Sequence, residues 1–449
     1  MSEPLEAIAE QVIRLAMKSG ATAAECTASE GSQFSVSVRK GEVETLTEAG
    51  SRGLGVRVLV GKNTGSAYTS DLTEDGIRQM VDSALDLAKI TTEDPFAGLP
   101  SEDELGKLDL DLQLLCPAVT ELPTDWKIEQ AKNAEAAAFA VDSRITNSEG
   151  AGFDTHTGLT VFANSLGFRG SYRSGSCSIS ATPVASEGAA MERDYWYSVA
   201  RDPARLDSAE EVGRRAAERT LRRLGARKVS TQRVPIVFDP RVARSIVDNI
   251  FDAVSGDAIY RGESFLAGKM GQKVASERLT VIDDGTIPGL FGSSPFDDEG
   301  VPSRRTVVIE RGVLKSWLLN SYTARKLGLR TTGNASRGIT GNAGVGNGNM
   351  YFEAGSAAPE DIIGSVKNGF YVTELIGQGV NTVTGDYSRG AAGLWIENGK
   401  LSFPVSEVTI ASTLPEMLNG IQEIGNDLVF RSSMASPTIL IGEMTVSGQ

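Results

Sequence analysis

The chain has 449 residues, with 58 acidic against 44 basic side chains, a net charge of −14 and one histidine. This length holds two or three domains, and the acidic balance with dispersed lysine and arginine excludes the phosphate-neutralising surface that direct DNA binding needs. A single histidine excludes a His-rich metal centre, and any serine or cysteine triad would have to run through His156.

Hydrophobic residues make up 40% of the chain, with no apolar run of ~18 or more, so no membrane span is expected. The opening MSEPLEAIAEQ is acidic and has no basic run before an apolar core. No signal peptide is therefore expected, and a cytoplasmic location is the default. Cys26, Cys116 and Cys177 are odd in number and lack a CxxC, which favours free thiols.

Leu5 to Lys18 places Leu5, Ile8, Ala9, Val12, Leu15 and Ala16 on one helical face. Alternating segments at 34–38, 43–47 and 54–60, punctuated by Gly41, Gly50, Gly53 and Gly61, predict short antiparallel strands. Asp71 or Thr73 then opens a helix to about Lys89. Residues 94–123, with four prolines and an acidic run, read as a linker. A helix over 125–141, strands at 144–147, 157–164, 167–182 and 191–199, and a helix over 208–224 repeat the earlier order. This is a candidate structural duplication. His156 reads as a hydrogen-bonded turn or surface residue, and the aromatic–charged run 191–196 as packing or interface.

From about Lys228 the character changes, dividing the chain into 1–227 and 228–449. Val234 to Phe238 is a strand, and Asp239 caps a helix with Pro240 in its first turn. Ala243, Ile246, Val247, Ile250 and Val254 mark its buried face, and Gly256 its end. Asp248 and Asp252, four apart, share a face. They read either as a solvated carboxylate stripe or as a pair for a hard cation such as Mg²⁺. Strand runs follow at 279–282, 305–310, 313–319, 371–375, 393–397 and 405–411, then a helix over 413–425 and a last strand over 438–444. Glu310-Arg-Gly312 and Glu397-Asn-Gly399 sit where hairpin turns belong. Residues 333–349 are so rich in glycine and asparagine that a mobile surface loop is expected, covering substrate or meeting a partner in its functional form. Gly385 to Gly393 reads as tight turns and close backbone approach; a phosphate cradle is the alternative, although GxGxxG and GKS/T are absent. The predicted class is α+β. Its N-terminal half has antiparallel strands with flanking helices, and its C-terminal half is a curved or barrel-like sheet around a central helix.

The central stretch, GESFLAGKMGQ, Val281-Ile-Asp-Asp-Gly285, Trp317 to Leu329, and Thr384-Gly-Asp-Tyr-Ser-Arg-Gly-Ala-Ala-Gly393 together resemble the TldD/PmbA family, the modulators of DNA gyrase. Active members of that family are zinc metallopeptidases with His-Glu-x-x-x-His on the central helix. Through these anchors the motif falls on Val247, Asp248 and Asp252, with Phe251 where a glycine is expected. The family's cysteine ligand follows an Asn-Asp-Leu run. Here Asn426-Asp427-Leu428 is followed by a segment without cysteine. Valine cannot coordinate zinc, and catalytic zinc requires three protein ligands beside a water position.

The resemblance is thus to the PmbA (TldE) branch, and it implies a subunit without catalytic residues and without metal of its own. Its partner would be a TldD-type metallopeptidase that carries the zinc, and its substrate a peptide or an unfolded or small modified protein. Assembly as a heterodimer or homodimer is expected. Asp386, Tyr387, Ser388 and Arg389 are the candidate peptide or partner contacts. A stand-alone peptide-binding adaptor or homodimeric binding module without proteolytic activity is the alternative.

Overall fold

The computed structural model describes residues 4–448. The first unit runs α1 (Leu5–Lys18), β1 (Ala23–Arg39), β2 (Glu42–Val60), β3 (Asn63–Thr69) and α2 (Glu74–Ile90). After the short helix α3 (Ala118–Glu121) the order returns as α4 (Thr124–Phe139), β4 (Ile145–Asn164), β5 (Arg169–Glu187), β6 (Ala190–Arg193), β7 (Trp196–Ala200) and α5 (Ala209–Leu221). These strands form one antiparallel sheet in the order β3-β2-β1-β4-β5-β6, with β7 also paired to β5. The first strand of each unit lies at the middle, where Gly31 faces Gly158. The sheet therefore repeats about an approximate two-fold axis through the β1–β4 pair.

All four long helices cover one face. Ala24, Cys26 and Ala28 pack under α1 and α2, while Phe34, Val36 and Val38 of the same strand pack under α4 and α5. Even positions of a strand share a side, so one continuous pleat serves both helix pairs. Each unit also caps a helix by the same device. Thr73 accepts from the Gly76 amide at 3.2 Å, and Ser208 from the Glu211 amide at 3.2 Å. Each such cap stabilises by about 1 kcal/mol.

The strands are longer than the sequence pattern predicts. β1 and β2 run unbroken, and β4 joins two runs that were expected to be separate. Gly50 and Gly53 are not turns. They sit within β2, and a Cβ on Gly53 would lie 2.5 Å from Ile339. The segment 94–123 is fastened to the C-terminal half: Arg325 donates to the carbonyls of Phe96, Leu99 and Gly98, and Tyr322 to Asp94 at 2.8 Å. The expected strand over 191–199 is split into β6 and β7.

The C-terminal half contains β8 (Gln232–Phe238), α6 (Pro240–Val254), α7 (Gly256–Arg261), β9 (Val281–Asp284), β10 (Arg305–Glu310), β11 (Val313–Leu314), α8 (Ser321–Leu327), β12 (Ala335–Ser336), β13 (Gly344–Val345) and β14 (Asn349–Phe352). It continues through α9 (Pro359–Gly364), β15 (Asn368–Ile376), β16 (Asp386–Glu397), β17 (Lys400–Thr413), α10 (Leu414–Asn419), β18 (Ile421–Ile424), β19 (Met434–Ala435) and β20 (Ile439–Ser447). Strands β17-β16-β15-β8-β20 follow one another, and a β17–β20 pairing closes them into a barrel. A second sheet, β11-β10-β9-β14-β19, lies beside it.

The expected helix over 413–425 is the short α10 followed by strand β18, because Gly420 breaks it and the chain re-enters the sheet. The predicted strand over 313–319 is only the two-residue β11. The glycine-rich 385–393 run lies almost wholly inside β16, and a Cβ on Gly393 would lie 1.9 Å from the Tyr371 carbonyl. Close approach, not turn formation, explains that glycine. At both expected hairpin turns the backbone is left-handed, at Arg311-Gly312 and Asn398-Gly399.

The 333–349 segment is the largest departure from expectation. It packs instead of forming a loose loop. The Arg337 side chain, 3% exposed, pairs with buried Glu25 of β1 and donates to Thr27 Oγ1 at 2.8 Å. Arg57 of β2 completes the cluster, donating to Glu25 at 2.9 Å and to Asn342 at 2.8 Å. A glycine-rich run was free to make this approach because Gly53 and Gly55 of β2 leave room for Ile339.

Candidate functional site

The organising helix α6 is built as its sequence dictates. Asp239 accepts from the Arg241 amide at 3.0 Å, Pro240 occupies the first turn, and the apolar stripe enters the barrel core. Ser255 turns the chain, and α7 begins at Gly256, whose Cβ would lie 2.4 Å from Thr323 Oγ1. In the GESF run, Ser264 donates to the Ala253 carbonyl at 2.6 Å and so satisfies the end of α6.

Val247 is fully buried in that core. The opposite stripe of α6, which includes Arg241, Arg244, Asp248 and Asp252, lines a cleft of about 1000 Å³ between the barrel and the β5–β6 edge of the N-terminal sheet. Arg389 of β16 lines the same cleft. The structure thus brings Asp248, Asp252 and Arg389 together. Asp386, Tyr387 and Ser388 do not line it: Asp386 and Ser388 are exposed elsewhere on β16, and the Tyr387 ring is buried. Period-two alternation puts Asp386 and Ser388 on the face opposite Arg389, whereas Tyr387 shares its face and is buried in the core.

The cleft walls are largely self-paired. Arg223 pairs with Glu192 and Glu374, and Arg193 with Glu149. Behind them Arg219 pairs with Asp194 at 3.2 Å, and Tyr371 donates to Asp239 at 2.9 Å. Arginines 215, 219, 241 and 431 stand over the Trp196 ring, so the expected packing role of the 191–196 run includes a cation–π hub. Asp248, Asp252, Arg244 and Arg389 are the exceptions: among the described residues none of them forms an ion pair, although both arginines lie near enough to act on Asp248. Burial raises both carboxyls. For Asp248, Arg244 and Arg389 oppose the shift and Asp252 adds to it. The side-chain nitrogens Asn249 Nδ2 and Arg389 Nε are buried without a hydrogen-bond partner. The wall therefore offers open acceptors and open donors side by side, the inventory a peptide backbone or polar side chain satisfies.

The site does not fit a catalytic zinc. Val247, Asp248 and Asp252, the positions that the resemblance assigns to the motif, supply a core valine and two carboxylates and no imidazole. Asp427, in the run where the cysteine ligand belongs, spends both oxygens on Thr438, at 2.9 and 2.8 Å. His156 lies on β4, opposite Gln33 of the N-terminal sheet. Among the described residues no three His, Cys, Asp or Glu side chains converge on a common metal position.

Three family models match consecutive parts of the chain: PmbA/TldA metallopeptidase domain 1 at residues 24–88, the central domain at 117–224 and the C-terminal domain at 231–448. The chain belongs to the PmbA/TldD family. Among its relatives, metalloprotease PmbA of Escherichia coli O157:H7 is 41% identical over 95% of this chain and 92% of its own length. The metalloprotease PmbA homolog of Haemophilus influenzae is 37% identical over 97% and 94%. A crystal structure from Bacteroides thetaiotaomicron, described as that of a modulator of DNA gyrase, superposes with a TM-score of 0.93 at 29% identity and full coverage of both chains. TldE from Thermococcus kodakarensis shares the fold, with a TM-score of 0.87 at 23% identity over 98% of this chain. Within the PmbA/TldD frame, Arg241, Arg244 and Asn249 are among the cleft residues that the sequence reading missed. Their signal was the polar stripe of α6, spaced three and four apart opposite the apolar one. No helix of the described residues is long and apolar enough to cross a membrane.

Proposed function

We propose that this chain is the metal-free, non-catalytic subunit of a TldD/TldE-type zinc peptidase. A TldD-type partner contributes the zinc, its ligands and the general base. This chain contributes a wall of the peptide-binding space, and peptides or unfolded segments are the substrates. The observation that carries the reading is α6. At the positions that the resemblance assigns to the motif, it presents two carboxylates and a core valine where two imidazoles and a base would be required. The unpaired Asp248, Asp252 and Arg389 then contact substrate or partner rather than metal.

The test is co-purification of the tagged chain with a TldD-type protein, followed by cleavage of an unfolded polypeptide by each component and by the mixture. Activity that needs both components is expected. Activity of the TldD-type protein that is indifferent to this chain would remove the subunit role. Peptide binding by this chain alone, with no partner captured, would establish the adaptor reading instead. Val247→His, Asp248→Glu and Asp252→His combined are expected to leave the isolated chain at background with added zinc, because the cysteine ligand and the groups that orient the histidines are still missing. Turnover comparable to the complex would overturn the proposed division of labour.

A further inference from the structure

A second cavity, of about 220 Å³, shares no lining residue with the α6 cleft. It lies where β9 and the 285–304 connection meet Tyr172 of β5. Asp283, Asp297 and Asp298 line it without converging on one point, and two of them are occupied. Asp297 accepts from the amides of Glu299, Val301 and Ala335 at 3.0, 2.9 and 2.9 Å. Asp298 accepts from the Arg337 amide at 2.7 Å. Asp283 differs. It lines the cavity and is 2% exposed, its Oδ2 accepts from Asn334 Nδ2 at 2.7 Å, and its Oδ1 is buried without completing a hydrogen bond, although the Gly348 amide faces the carboxylate.

We propose that this cavity binds the α-ammonium group of an amino acid or of a peptide's first residue at Asp283, with Arg304 at the rim meeting the ligand's carboxylate or carbonyl. A buried acceptor left open is costly, and an ammonium supplies a charge-assisted donor that answers it. Burial first, and the neighbouring Asp284 in the same sense, push the Asp283 carboxyl up to about 7 against the Asn334 bond and the facing Gly348 amide, so a cationic partner would hold it ionised near neutrality. A bare metal ion suits the wall less well. No three acid, imidazole or thiol groups converge there among the described residues, and the exposed Arg304 guanidinium has no ion-pair partner among them and repels a free cation. The same guanidinium matches the negative end of a zwitterion. The volume falls below the ~300 Å³ at which sites for larger ligands begin, which limits the occupant to about one small residue. Tyr172, Phe291 and Phe296 give its side chain an apolar wall.

Calorimetric titration of the full chain, with neither partner nor zinc, tests this independently of the subunit role. The probes are L-alanine, L-alaninamide, N-acetyl-L-alanine and the tripeptide Ala-Gly-Gly. L-Alanine and L-alaninamide are expected to bind, and N-acetyl-L-alanine to lose at least about tenfold. Asp283→Asn should weaken both amines by at least about tenfold, the effect of removing a charged hydrogen-bond partner. Arg304→Ala should weaken L-alanine more than L-alaninamide, and as a change at an exposed position it keeps the test valid if the Asp283 variant does not fold. Ala-Gly-Gly binding as tightly as L-alanine assigns the site to peptide N-termini; its exclusion assigns it to free amino acids. Equal binding of acetylated and free alanine, or no heat from any amine at millimolar concentration, overturns the proposal.

Discussion

The two units of the N-terminal sheet share one element order and one helix-covered face, yet their ion pairs with the C-terminal half run in opposite directions. The first unit receives. Arg337 enters from the C-terminal half, ends on Glu25, which Arg57 also pairs, and closes that seam with buried charge. The second unit sends: Arg219 and Arg223 leave α5 and the turn after it and reach Asp239 and Glu374 across the seam. The received arginine is buried, whereas Arg223 of the second unit borders the large cleft beside α6. A repeated scaffold does not impose repeated chemistry. The side chains placed at equivalent seams decide which one becomes a site.

The largest test of this contrast is Glu25→Ala. It strands Arg57 and Arg337 as buried cations and should cost about 3–5 kcal/mol in chemical denaturation. A loss below about 1 kcal/mol would mean that the first seam is not held by charge. Arg219→Ala should cost less, about 2–3 kcal/mol. Asp239 keeps its bonds from Tyr371 at 2.9 Å and the Arg241 amide at 3.0 Å, so only part of the second seam is exposed. A loss equal to that of Glu25→Ala would erase the asymmetry.

Smaller effects separate the seams at backbone level. A Cβ on Gly55 would lie 1.6 Å from the Ile339 carbonyl. Gly55→Ala should therefore displace the 333–349 segment, cost about 1–3 kcal/mol and make that segment more sensitive to limited proteolysis. On Gly158, of the second unit, the nearest contact to a Cβ is 3.6 Å. Gly158→Ala should stay within about 0.5 kcal/mol of wild type.

The smallest effect is a difference of sign with pH. Burial would raise the Glu25 carboxyl, but Arg337 and Arg57 overcome it and the net shift is downward. Its stabilising contribution is therefore full above the unfolded value near 4 and is lost as pH falls through the lower folded value. Burial raises Asp248. The cost of ionising it in the fold sets in as pH climbs past about 4 and is complete above its folded value. Asp248→Asn should thus gain stability relative to wild type from mildly acidic pH upward, by under about 1 kcal/mol at this half-exposed position, while Glu25→Gln loses it. Parallel pH–stability curves for the two variants would contradict the contrast.

Much of the scaffold was legible because it depends on periodicity and caps. The bounds of α1 match the apolar stripe residue for residue, and Thr73 and Ser208 mark their helix starts by a side-chain bond to the third following amide. The repeated helix–strand order was readable because each unit has its own stripe. The strand ends were not. Gly50 and Gly53 look like turns unless Ile339, far along the chain, is known to need their space. The packed state of 333–349 was hidden for the same reason: Arg337 acquires its role only from Glu25, more than three hundred positions away. At the candidate site, Asp248 and Asp252 were found by spacing. Placing Arg389 beside them, and Tyr387 inside the core, required the barrel to close.

The β1–β4 pair carries a consequence for ancestry. From Glu25 to Val38, β1 finds its second neighbour only in the other unit. A unit of this kind on its own would expose that whole strand as an open edge, the form most prone to pair with another chain. The stable form of a one-unit forebear is then a two-fold dimer joined through its first strand. Fusing two copies end to end turns that dimer into a single chain, and from then on each copy is free to mutate its seam without its twin having to follow.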